Sequence, residues 1–89
     1  MTKRIIHYYS PSSAQQEVEV PYGTKILCAE WRSRGPALYV EKPTGEAERW
    51  VTLSFAMCPT GAEFETDLDY VGSASDGLYV FHVYAKIGD

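Results

Sequence analysis

Long apolar runs are missing from this chain, and no stretch approaches the roughly 20 residues that a membrane-spanning helix needs. Its first residues hold no hydrophobic segment followed by a small-residue cleavage site, so cytoplasmic residence without membrane contact is the expectation. An apolar pattern of period 3.6 sustained over three turns is absent too, which leaves no amphipathic helix to build with. Cysteine is scarce. Cys28 and Cys58 belong to no Cys-x-x-Cys pair, so neither a disulfide framework nor a thiolate metal site is expected. Cys28 sits in the apolar run Ile26-Leu27-Cys28-Ala29, where a thiol acts as a small hydrophobe, and both thiols are expected free and at least half-buried. The glycines are scattered, and none forms a phosphate-cradling loop ahead of a helix, which excludes the familiar nucleotide-binding routes.

Basic residues are few in the second half. Residues 46–89 carry two Lys/Arg against eight Asp/Glu, whereas residues 1–45 carry six against four, giving the net charge of −4. Duplex binding needs an electropositive face that displaces phosphate counterions. Lys3, Arg4, Lys25, Arg32 and Arg34 are too thin a set for that, and the acidic half opposes it. Direct nucleic-acid binding is not expected. A basic protein, or one that normally holds nucleic acid, fits the charge better.

What the chain does have is β-branched and aromatic residues in short, punctuated runs. At 89 residues, 45% of them hydrophobic, it is expected to form a single domain, 1–89, with one core. Lys3–Tyr9 reads as a first strand, ended by Ser10-Pro11-Ser12-Ser13. Gln15–Val20 alternates, with Val18 and Val20 inward and Glu17 and Glu19 outward. Pro21-Tyr22-Gly23 is a turn. Lys25–Trp31 and Ala37–Glu41 are close enough to form an antiparallel hairpin across Arg32-Ser33-Arg34-Gly35-Pro36. After a Pro43-Thr44-Gly45-Glu46 turn, Arg49–Met57 places Val51, Leu53, Phe55 and Met57 on one face. Residues 58–67 lack regularity, and Pro59 and Gly61 oppose a helix. A short strand around Tyr70-Val71, an Asp76-Gly77 turn and a closing strand over Leu78–Ile87 complete the chain. Apolar on both faces, that closing strand is expected at the centre of a sheet, or with one face against a second layer. The fold class is all-β: a small antiparallel sandwich or partly open barrel of six to seven short strands.

No catalytic set emerges from the residue pattern. His82, between Phe81 and Val83, has no Ser or Cys at a spacing that would pair with it, so it reads first as a structural, hydrogen-bonded histidine. His7 is similar, flanked by Tyr8 and Tyr9. The two histidines would form a polar site if their terminal strands paired, though two ligands leave a zinc ion incomplete. No metal or other cofactor is expected. Glu63, Glu65, Asp67 and Asp69 recur at every second position, which gives a solvated acidic edge or a contact for a basic protein; the calcium-loop pattern is absent. Trp31, Arg32, Arg34 and Tyr39 are the best recognition candidates, because Trp, Tyr and Arg carry interface hot spots. The competing reading has Trp31 capping the core beside Trp50.

Several segments together resemble a family of uncharacterised small all-β proteins found in phages and prophages. They are Val20-Pro21-Tyr22-Gly23-Thr24-Lys25-Ile26-Leu27, Ala37-Leu38-Tyr39-Val40, Thr60-Gly61, Tyr70-Val71-Gly72-Ser73 and Leu78-Tyr79-Val80-Phe81-His82-Val83-Tyr84. The likeness runs from Ile5 to Ala85. Arg32-Ser33-Arg34 and Cys58-Pro59 depart from it, so a partner would be particular to this member. The resemblance implies a phage setting, in which compact acidic proteins often block a host or defence protein. Three functions follow as expectations. The first is a non-enzymatic binding protein that modulates or inhibits a host protein. The second is a structural accessory or homo-oligomer built by edge-strand pairing. The third is a small histidine-containing enzyme or ligand-binding protein using His7 or His82.

Overall fold

The computed structural model describes residues 3–88. Seven strands follow one another: β1 (Arg4–Tyr9), β2 (Gln16–Pro21), β3 (Lys25–Arg32), β4 (Gly35–Pro43), β5 (Trp50–Pro59), β6 (Asp69–Ser75) and β7 (Val80–Gly88). They divide into a three-stranded sheet, order β1-β4-β3, and a four-stranded sheet, order β2-β5-β7-β6. Every pairing is antiparallel. The sheets remain separate and open, so the sandwich is realised and not the barrel. The shortest dimension, 16 Å between Cα extremes, leaves room for two sheets stacked about 10 Å apart and no third layer.

Strict alternation explains the core. Val51, Leu53 and Phe55 of β5 meet Val20 of β2, Val83 and Ala85 of β7, and Leu38 and Val40 of β4, all buried. Val18 and Met57 pack at its margin, while Glu17 and Glu19 face solvent and accept hydrogen bonds from the Ser54 and Thr52 hydroxyls. As expected from its apolar faces, β7 is internal, between β5 and β6.

Two β-bulges depart from alternation and explain one correction. Ile26 pairs with Val40 and Cys28 with Tyr39, so Leu27 is an extra residue on β3. The slip turns Cys28 outward, and it is exposed instead of half-buried; Cys58 is free and buried, as expected. The second bulge, at Val71, lets Gly72 of β6 lie against Ala29 of β3, where the two sheets draw together. The closing strand starts at Val80, because the Asp76 carboxylate captures the N–H groups of Leu78 and Tyr79 and keeps them in the turn.

Residues 60–68, which form no helix, cross the outer side of the four-stranded sheet. Phe64 packs on Tyr84 with ring centroids 5.1 Å apart, and the outward-facing Ala56 and Cys58 are buried on this side. The Cys58 thiol points at the carbonyls of Pro59 and Ala62.

Candidate functional site

The β3–β4 hairpin ends in a tight turn whose Arg34 N–H donates to the Arg32 carbonyl. Its central residue, Ser33, has φ 45°, the one left-handed non-glycine among the described residues. Backbone held in this region costs about 1–2 kcal/mol and is tolerated where surrounding structure imposes it. Next to the turn, Trp31 points inward and stacks on Phe81 at the start of β7, centroids 5.8 Å apart and planes at 21°. From the other side comes the β1–β2 connection, with Pro11 buried and Ser12 accepting the Met57 N–H at 2.9 Å. Between them lies a cleft of about 570 Å³. Trp31, Met57 and Phe81 give it an apolar floor, and Tyr8, Arg32 and Arg34 its rim.

The two arginines differ. Arg32 lies over the Tyr8 ring, 4.3 Å from its centroid. Hydrogen bonding to Tyr8, then to Tyr39, raises its pKa above the ordinary arginine value. Tyr8 and Tyr39 pack on each other at 5.9 Å, so Arg32 is a fixed cation on an aromatic support. Arg34 is exposed, and its guanidinium has no partner among the described residues. None of the described residues lining the cleft is Asp, Glu, His or Cys. The cleft is a concavity with an aromatic floor and a cationic rim on a protein of net charge −4, and paired guanidinium groups of this kind suit carboxylates.

Thus the structure brings Trp31, Arg32, Arg34 and Tyr39 to one end of the sandwich. Trp50 stands at the far end, 56% exposed, opposite Pro21, so the two tryptophans do not cap the core together. The histidines stay apart as well. His7 lies on β1 in one sheet and His82 on β7 in the other, so no polar site joins them. His7 is exposed and contacts the rings of Tyr8 and Tyr9.

His82 is hydrogen-bonded, as expected, but one of its partners is a serine, which its spacing had not suggested. Nε2 lies 2.8 Å from Thr60 Oγ1, Nδ1 lies 2.8 Å from Ser73 Oγ, and Ser73 Oγ lies 2.7 Å from the Tyr70 hydroxyl. Thr60 gives its own proton to the Val80 carbonyl at 3.0 Å, so it must accept from Nε2–H. In the neutral imidazole Nδ1 then accepts from Ser73, which accepts from Tyr70. This chain of donors defines one histidine tautomer. It lacks the carboxylate that orients the imidazole of a hydrolytic triad, and His82 does not line the cleft. Ser73 was legible: counting back from the Asp76-Gly77 turn sets it opposite His82.

Glu63, Glu65, Asp67 and Asp69 are all exposed. They do not share a strand face, since only Asp69 belongs to one; Glu63 and Glu65 flank Phe64 over an open depression. Among the described residues no three His, Cys, Asp or Glu are grouped to hold a metal ion, and no helix is long and apolar enough to cross a membrane.

The family model described as a domain of unknown function (DUF7352) matches residues 1–89. The chain belongs to the DUF7352 family. No curated protein and no solved structure matches this DUF7352 chain.

Proposed function

We propose that this DUF7352 chain is a non-enzymatic binding protein, encoded by a phage or prophage, that modulates or inhibits a host or defence protein in the bacterial cytoplasm. The observation that carries the reading is the cleft in which Trp31 and Phe81 form a floor beneath Arg32 and Arg34 with no carboxylate or base beside them. Such a site suits an acidic residue flanked by an apolar one on the partner's surface. The charge of −4 favours a protein over nucleic acid, and the resemblance to phage and prophage proteins supports the setting. Glu63 and Glu65 offer a separate acidic surface for a basic region of the same partner.

Immobilised protein incubated with nuclease-treated bacterial lysate tests this. A specific protein should be retained, and Trp31→Ala or Arg34→Glu should weaken capture by roughly thirtyfold, the loss of about 2 kcal/mol that marks a hot spot. The double variant Glu63→Lys, Glu65→Lys should retain the cleft-dependent part. No retained protein, or capture indifferent to both cleft substitutions, would overturn the proposal.

A further inference from the structure

Sandwiches leave strand edges open, and this one has four. Three are blunted. The free edges of β3 and β6 carry the bulges at Leu27 and Val71 and lie against one another through Ala29 and Gly72. On β2, the Tyr22 N–H bond to Arg49 sets the phase of the ladder. Glu17, Glu19 and Pro21 therefore turn their backbone groups outward, two charged residues and one without an N–H.

β1 has neither bulge nor proline, and its open side carries a single charged residue, Arg4. The bond from Thr44 N–H to the Lys3 carbonyl assigns Ile5, His7 and Tyr9 to bonding with β4. Arg4, Ile6 and Tyr8 are left with their N–H and C=O groups directed into solvent. The side chains match this openness. Ile6 is 63% exposed on the outer face, and Ile5, which points inward, is still 54% exposed, so the start of β1 overhangs the other sheet. Arg4 is already held by Glu41 and the Gly23 carbonyl, so the edge carries little uncompensated charge.

The geometry points to a symmetric dimer in which β1 pairs antiparallel with β1 of a second copy of this chain, Ile6 opposite Ile6. The outward-facing residues form a self-complementary set about that centre. Arg4 meets Tyr8 of the second copy, and Tyr8 meets its Arg4, each pair exchanging both backbone bonds. Each Arg4 faces an aromatic ring, the one that also carries Arg32. Ile5 comes to lie beside His7 of the second copy on the overhanging inner face. The result is one continuous six-stranded sheet, β3-β4-β1 joined to its twofold mate. An extended segment of another protein would gain the same backbone bonds, but it would not by itself supply this reciprocal matching.

Sedimentation velocity under reducing conditions, from micromolar to millimolar protein, tests the pairing; the reductant removes dimers linked through exposed Cys28. Wild-type protein should shift from monomer to dimer as concentration rises. Ile6→Lys and Ile6→Glu should each fold, because the side chain is exposed, and each should dimerise at least roughly tenfold more weakly through like charges set opposite. Mixing the two variants in equal amounts should restore the dimer. A wild-type monomer at every concentration overturns the inference. So does a dimer insensitive to both substitutions, a mixture that stays monomeric, or β1 amides protected only when a different protein is added.

Discussion

Trp31 and Phe81 come from different sheets and stack with their planes only 21° apart. The contact closes one end of the sandwich and floors the arginine-rimmed cleft, so Trp31 serves packing and recognition together. Trp31→Ala should cost about 1–2 kcal/mol, below the roughly 3–5 kcal/mol of a fully buried tryptophan because Trp31 is only half-buried. Arg34→Glu should change stability by less than about 0.5 kcal/mol, since its exposed guanidinium touches nothing described. Urea denaturation separates the two. An equal loss in both variants would mean that Arg34 is part of the fold and not of an open rim.

Ser33 holds the turn at φ 45°. Glycine relieves that cost, so Ser33→Gly should stabilise the protein by about 1 kcal/mol and raise Tm by roughly 4–8 °C. A lowered Tm would show that the serine hydroxyl contributes more than the strained backbone costs.

Much of the architecture is written in local patterns. Val51, Leu53, Phe55 and Met57 announce a one-faced strand, and the Asp76-Gly77 turn sets the β6–β7 register so that Ser73 faces His82. What escaped was set by contacts distant in sequence. The slip at Leu27 depends on how β3 fits β4 and β6, and no residue type announces it; hence Cys28 reads as buried. Thr60 reaches His82 from the far side of β7, across a separation of 22 residues. The cleft's members were legible as hot-spot types, but the assembly of Tyr8, Met57 and Phe81 beneath them depends on how the two sheets stack.

The bulge makes the two thiols unequal. Cys28 is exposed on the outer face of the three-stranded sheet, while Cys58 is buried beside Ala62. Iodoacetamide on the folded protein, read by peptide mass spectrometry, should alkylate Cys28 well before Cys58. Cys28→Ser should alter stability by less than about 0.5 kcal/mol. Comparable labelling at both sites would mean that the 60–68 segment does not cover β5 in solution.

The donor chain through Tyr70, Ser73, His82 and Thr60 runs in one direction. It requires the neutral imidazole to carry its proton on Nε2. Nitrogen chemical shifts of His82 at neutral pH should report that tautomer. Ser73→Ala removes the donor to Nδ1 and should cost about 1 kcal/mol. Finding the proton on Nδ1 would reverse the direction of every bond in the chain.

Asp76 carries the pH dependence that the structure assigns to the β6–β7 hairpin. Its Oδ1 accepts the Tyr79 N–H at 2.7 Å and the Leu78 N–H at 2.8 Å. These bonds, Tyr79's first, lower its pKa below the ordinary aspartate value, and slight desolvation opposes them. A depressed folded pKa means that the stabilising contribution is complete above the unfolded value of about 3.9. It disappears as pH falls through the lower folded value. The amide proton shifts of Leu78 and Tyr79 should therefore stay constant from neutral pH to about 5 and move together only in more acidic solution, below about 4. In Asp76→Asn the side-chain carbonyl still accepts both bonds but has no charge to lose, so this acid transition should vanish while the turn persists. A transition that survives the substitution would place the titrating group elsewhere, and one centred near neutral pH would exclude Asp76 altogether.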